Sequence, residues 1–135
     1  MSDPLEVINP QSLGAPKGFS HGLLAPPGAR LLFVAGQTAA DAQGVVSQRE
    51  FAAQFDAALA RVLTVVQEAG GTPAHVARMT VFVSDLDAYL ASRQVLRDVW
   101  ARRMGTHYPA MALVEVNRLV DAEASVEIEA IAVIT

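Results

Sequence analysis

Tyr108-Pro109-Ala110-Met111-Ala112-Leu113-Val114-Glu115-Val116, followed shortly by Ser125-Val126-Glu127-Ile128-Glu129-Ala130-Ile131-Ala132-Val133-Ile134, is the stretch whose reading decides the fold. Both segments read as strands, and successive side chains of a strand point to opposite faces. The first sets Met111, Leu113 and Glu115 against Ala110, Ala112, Val114 and Val116. The second sets Val126, Ile128, Ala130 and Ala132 against Glu127, Glu129, Ile131 and Val133. Two carboxylates thus open an otherwise apolar face, where charge needs solvent, a partner or a ligand.

Upstream of this pair, Asp85 caps a predicted helix whose Leu86, Tyr89, Leu90, Arg93, Leu96 and Trp100 share a broad face, ending at Met104-Gly105. Arg97, Arg102 and Arg103 lie in its last half, where they are expected to offset the negative end of the helix and reach solvent. Before it, 76–83 reads as a strand with Met79, Val81 and Val83 alternating with Arg78, Thr80 and Phe82. His75, in the turn leading into that strand, reads as solvated. The clearest helix comes earlier: Phe51, Phe55, Leu59, Val62 and Val66 recur at three- and four-residue steps, and Gly70-Gly71 ends the pattern. Ser47-Gln48-Arg49-Glu50 has the spacing of a capping box for it. Three earlier strand candidates, at 5–9, 19–24 and 31–35, suggest an antiparallel meander, the last broken by Gly36. The order is strands, helix, strand, helix, two strands. It predicts an α+β fold, one mainly antiparallel sheet with two long helices on a single face. The other face is left needing cover.

A length of 135 residues suits a single domain, 1–135. Hydrophobic residues make up 52% and charged ones 18%, more apolar surface than one small domain usually hides, which favours an oligomer. Cysteine is absent, excluding disulfides and thiolate chemistry. The net charge of −4 argues against a broad nucleic-acid surface. Met1-Ser2-Asp3-Pro4-Leu5-Glu6 lacks the basic start and apolar run of a signal peptide, and no apolar run approaches the roughly 20 residues that span a bilayer. A cytoplasmic protein with no membrane partner is expected.

Several words in their order carry a resemblance. They are Val7-Ile8-Asn9-Pro10, Phe33-Val34-Ala35-Gly36-Gln37, Thr80-Val81-Phe82-Val83-Ser84-Asp85, Tyr108-Pro109-Ala110 and Val126-Glu127-Ile128-Glu129-Ala130. Together they resemble the RidA/YjgF family, also labelled endoribonuclease L-PSP-like, whose Rid proteins hydrolyse reactive enamines and imines. The resemblance implies a chorismate-mutase-like fold, a homotrimer whose sheets meet around a central barrel, and ligand clefts between subunits. It implies that Glu127, the first Glu of its word, lines the cleft and positions the attacking water. It also points to Phe19, His21, Gln37, Tyr108, Met111 and Leu113 as ligand-binding positions. One position departs from the pattern. Deaminating members carry an arginine directly after the Pro-Ala pair to grip the substrate carboxylate, and this chain has Met111 there.

Read from the residues alone, Glu127 and Glu129 point to one side about 7 Å apart, close enough to raise one pKa and provide acid/base chemistry. The plainer alternative puts one at a solvated edge and pairs the other with an arginine such as Arg118. His21, His75 and His107 are the only histidines, and none has ligand spacing, so no metal is expected. His21 and His107 remain candidates for touching ligand. No Gly-rich phosphate loop is present, and Ser47, Ser84 and Ser92 lack a nucleophile's setting, so no cofactor and no covalent catalysis are expected. A bidentate arginine is worth about 1.5–3 kcal/mol, so its loss at Met111 should weaken binding of an imino acid about 10- to 150-fold. Three functions follow: imine or enamine hydrolysis of a small metabolite without the clamp, a non-enzymatic ligand-binding or chaperone-like module, and a ribonuclease. The acidic balance and single lysine, Lys17, weigh against the last.

Overall fold

The computed structural model describes residues 3–135. In chain order its elements are β1 (Glu6–Ile8), β2 (Gly22–Leu24), β3 (Arg30–Gln37), α1 (Phe51–Glu68), β4 (Val76–Val83), α2 (Leu86–Ala91), α3 (Arg93–Met104), β5 (Ala110–Glu115) and β6 (Val126–Ile134). The main sheet has the order β3-β6-β4-β5. β6 runs antiparallel to both neighbours, while β4 and β5 are parallel and joined by the helical crossover. The expected meander does not form, because β1 and β2 pair with each other in a separate two-stranded sheet. β3 instead joins β6, with Leu32 opposite Ala132 and Val34 opposite Ala130. The nine residues of β6 offer it a full-length apolar partner, which the three of β2 do not.

Alternation on β6 decides where the core lies. Val126, Ile128, Ala130, Ala132 and Ile134 are each 6% exposed or less. They pack with Met79, Val81 and Val83 of β4, with Phe55, Leu59, Val62 and Val66 of α1, and with Leu96, Val99 and Trp100 of α3. Each full burial of a Val, Leu, Ile, Phe or Met side chain here contributes about 1.5–3 kcal/mol. Both helical segments therefore cover one face, as the pattern predicts. The opposite face exposes Leu31 (60%), Phe33 (71%) and Val114 (43%). Among the described residues, no helix is long and apolar enough to cross a membrane.

Other expectations change in detail. The capping box at Ser47 does not form, since α1 begins only at Phe51 and its N-cap, Glu50, makes no side-chain cap bond. Buried Gln54 organises that corner instead, donating to the carbonyls of Gln48 and Glu123 and accepting from the Ser125 amide. The second long helix is two, split at Ser92, whose hydroxyl bonds the Ala88 carbonyl and whose amide turns back to Tyr89. Asp85 caps α2 as predicted, accepting from the Ala88 amide. Gly70, at φ +88°, ends α1 in a conformation that favours glycine. β3 is not broken at Gly36 and continues to Gln37.

His75 is half-buried rather than solvated. Its Nδ1 accepts from the Thr72 amide at 2.9 Å and its Nε2 lies 3.0 Å from Thr135 Oγ1, tying the end of the chain to the start of β4. Arg102 and Arg103 do more than face solvent: both pair with Asp56 on α1, at 3.4 and 2.7 Å. Burial alone would push the Asp56 carboxyl up, but the hydrogen bond and charge of Arg103, then Arg102, outweigh it and hold it below its ordinary value.

Candidate functional site

Glu127 sits on β6 opposite Phe82, half-buried on the face that no helix covers. Among the described residues its carboxylate has no hydrogen bond and no ion pair; the ion-paired acids are Glu123 and Asp56. It lies hard against the backbone of β3. A Cβ added at Gly36 would stand 2.9 Å from Glu127 Cδ and 3.0 Å from Oε2, so the carboxylate occupies the space a side chain would need. Glycine there allows the close approach and is not called for by an unusual φ; a side chain would displace the carboxylate.

Glu129 shares this face, exposed and opposite Thr80. It lines a hollow of about 360 Å³ with Phe33, Arg78, Thr80 and Ile131. Arg118 is not its partner; it lines a separate hollow of about 490 Å³ with Ser84, Leu119 and Asp121. Gln37 ends β3 close by, with both ends of its amide engaged: Nε2 donates to the Ala35 carbonyl and Oε1 accepts from Arg61 Nε.

The other candidates gather elsewhere. Met111 lies opposite Met79 and Leu113 opposite Val81, both half-buried against the core on the helix side of β5. β5 is an outer strand, so these two side chains stand near an open edge of the sheet. Phe19 meets His21 edge-on, with ring centroids 5.2 Å apart. Their segment is strapped to the start of β5 by buried Ser20, whose amide donates to the Pro109 carbonyl at 3.0 Å and whose hydroxyl donates to the Tyr108 carbonyl at 2.7 Å. Tyr108 in turn stacks on Trp100, 5.7 Å away and nearly parallel, and keeps 39% of its surface exposed.

The candidates therefore form two groups. Phe19, His21 and Tyr108 come together beside the strand that carries Met111 and Leu113, while Glu127, Gly36 and Gln37 form another cluster. Within one chain Met111 and Glu127 are not neighbours, because they lie on opposite faces of the sheet with β4 between their strands. Both candidate histidines have ring partners. Nε2 of His21 lies 3.0 Å from the Gly14 carbonyl, and that of His107 lies 2.7 Å from the Val76 carbonyl. Among the described residues, no three His, Asp or Glu side chains gather in a way that could hold a metal ion. Ser20 and Arg61 were not legible as site residues. Gly36 beside Gln37 at a strand end was the available signal for a close backbone approach.

The α+β sheet is layered with helices on one face only, and its other face carries carboxylates that are unpaired among the described residues beside exposed apolar side chains. The chain belongs to the endoribonuclease L-PSP family, the YjgF/RidA proteins, whose family model matches residues 10–134. It is similar to the Yersinia pestis protein YyfB of the conserved Rid family, a protein of unknown function, at 33% identity and a TM-score of 0.84, covering 97% of this chain and 99% of that one. The Escherichia coli protein TdcF, whose crystal structure holds bound serine, is 29% identical with a TM-score of 0.69, covering 90% of this chain and 92% of that one. A RutC family protein of Haemophilus influenzae is 34% identical over 84 residues, a match that spans 62% of this chain and 64% of that relative.

Proposed function

We propose that this protein is a homotrimeric Rid protein of the cytoplasm, a single domain over 1–135, that hydrolyses reactive imines or enamines of a small metabolite in a cleft between subunits, without an arginine clamp. The observation that carries this reading is Glu127, a half-buried carboxylate with no ionic partner among the described residues, on the uncovered sheet face. An unpaired carboxylate in such a place is available to a ligand. The exposed Leu31, Phe33 and Val114 support burial of this face by further copies. The opposite placement of Met111 and Glu127 suits a cleft that takes each from a different chain.

In this scheme Glu127 accepts a proton from water as its oxygen adds to the imine carbon. The carboxyl hands that proton to the imine nitrogen, giving a neutral carbinolamine; it then takes the proton of the new hydroxyl and passes it to the same nitrogen as the C–N bond breaks, so that both water protons leave on ammonia. The net change is imine plus water to carbonyl compound plus ammonia, with no cofactor or metal required. Met111 offers no donor and favours apolar groups, so the preferred imines carry an apolar substituent where other members hold a carboxylate. Imines generated in place from simple primary amines by an amine oxidase, beside imino acids generated from amino acids by an amino-acid oxidase, with ammonia release followed, test the reading. Turnover that disappears in Glu127→Gln supports it, and turnover indifferent to that change sinks it.

TdcF with its bound serine favours a second reading, a binding module without turnover. Calorimetric binding of an amino acid or keto acid, with no acceleration of imine hydrolysis, would favour that module over the enzyme. Ribonuclease activity has only the family's label behind it, against a net charge of −4.

A further inference from the structure

The ladder between β3 and β6 slips next to Glu127. Val34 faces Ala130 but Gln37 faces Ile128, three steps on β3 against two on β6, so the strand bulges at Ala35-Gly36. A bulge interrupts pairing and re-aims nearby side chains, and its shape needs support from outside the ladder. Gln37 provides it by donating from Nε2 to the Ala35 carbonyl at 3.1 Å. Gln37 is held in turn by Arg61 of α1, whose Nε donates to Oε1 at 3.0 Å while its Nη1 donates to the Ala40 carbonyl at 2.8 Å. Arg61 is half-buried and has no ion pair among the described residues, so its fork is spent on these oxygens. On the far side of the bulge stands the Glu127 carboxylate, packed against Gly36.

We propose that Arg61 and Gln37 are positioning residues for Glu127: they pin the bulge, and the bulge presents Gly36 as the wall against which the carboxylate rests. The proposal builds on the reading of Glu127 as the proton carrier. A helix on the covered face thereby sets the geometry of a carboxylate on the open one. In this role both act through backbone, whether or not Gln37 also meets ligand.

Arg61→Met keeps the aliphatic stem and removes the donors, Gln37→Leu removes the middle link, and Arg61→Lys keeps one donor. Imine hydrolysis gives kcat and KM, and carbon-detected NMR follows the Glu127 carboxyl resonance, assigned by its loss in Glu127→Gln. The expected result is a fall in kcat of about 10- to 100-fold with KM little changed in Arg61→Met and Gln37→Leu, since misplacing a reacting group by about 1 Å costs that much. The Glu127 resonance should move while that of Glu115 stays, and Arg61→Lys should recover part of the rate. Gly36→Ala, which displaces the carboxylate directly, should reproduce the kcat loss with the relay intact, and it carries the test should the relay variants not fold. If Glu127→Gln abolishes turnover but Arg61→Met and Gln37→Leu, or Gly36→Ala in their place, stay within about twofold of the parent, the positioning role is overturned and the functional reading stands. If Glu127→Gln leaves turnover intact, the functional reading fails. The relay is then judged on the carboxyl resonance alone, and a resonance unmoved in these variants overturns it too.

Discussion

The two faces of the four-stranded sheet come from the same strands by the same alternation, yet they answer to different rules. On the covered face Val34, Met79, Val81, Val83, Val126, Ile128, Ala130, Ala132 and Ile134 form one buried apolar surface, and its charged residues, Arg30 and Glu115, lie exposed at strand ends, Glu115 accepting from the Leu86 amide. On the open face Arg78, Glu127 and Glu129 stand among Leu31, Phe33 and Val114. A helix layer tolerates no unpaired charge beneath it. A face made only for water has little use for a phenylalanine that is 71% exposed. The open face is therefore suited to partial cover by something that leaves room beside the carboxylates, and each prediction below probes that contrast.

The largest effect should come from placing one charge on each face. Ile128→Asp buries an unpaired carboxylate in the core and should cost several kcal/mol, most of the roughly 5–15 kcal/mol that holds a domain of this size together. Val114→Asp puts the same charge on the open face. If copies of the chain cover that face, it should dissociate the assembly while each chain keeps its helical circular dichroism. Light scattering with thermal melts separates the two outcomes. An unaltered mass in Val114→Asp, or a parent protein that is already a monomer at micromolar concentration, would remove the inter-subunit cleft.

Two substitutions of smaller reach test the groups assigned to chemistry and to grip. Glu127→Gln is nearly isosteric and removes the charge, so the imine hydrolysis rate should fall about 100-fold or more. Its melting temperature should hardly move, because no ionic partner among the described residues is lost. Met111→Arg restores a bidentate donor at the open edge of β5, where a long side chain can reach out past the strand. For imino acids it should lower KM by about 10- to 150-fold. A change confined to KM means the arginine adds uniform binding, and a rise in kcat means it also orients the reacting carbon. No gain at all would show that position 111 does not face the substrate's carboxylate.

The covered face was legible in the sequence, because a helical stripe such as Phe51 to Val66 and strict alternation over 126–134 leave one way to bury apolar groups. The Asp85 cap and the bareness of the second face followed from the same local rules. Strand partners did not, since β3 could be expected to pair with its chain neighbour β2, and only the length and apolar content of β6 favour the distant choice. The site was half-legible. Glu127 stood out as a charge on an apolar strand. The strap from Ser20 to Tyr108 joins residues 88 positions apart, and the bond from Arg61 to Gln37 spans 24, so no local pattern announces either. The division of the candidate residues into two groups is likewise a property of strand order, which places β4 between Met111 and Glu127.

The smallest expected effect contrasts two carboxylates. Asp56, on the helix layer, is held by Arg103 and Arg102 with its pKa lowered, whereas Glu127, on the open face, has no such partners among the described residues. A lowered folded-state pKa means that the unfolded chain takes up a proton first as pH falls. The Asp56 contribution is therefore complete above the ordinary aspartate value and fades as the solution is acidified through that value and down past the lowered one. All three side chains are partly exposed, between 26% and 57%, so solvent screening limits the pair to about 0.2–1 kcal/mol. Asp56→Asn should lower the melting temperature by a few degrees at pH 7 and low salt, by less in high salt, and by progressively less as the pH falls below the ordinary aspartate value. Glu127→Gln, melted in parallel at pH 7, should show no such salt-sensitive loss. Were Glu127→Gln to lose as much stability as Asp56→Asn with the same dependence on salt, its carboxylate would have an ionic partner of its own, and the contrast between a paired helix layer and an unpaired open face would fail.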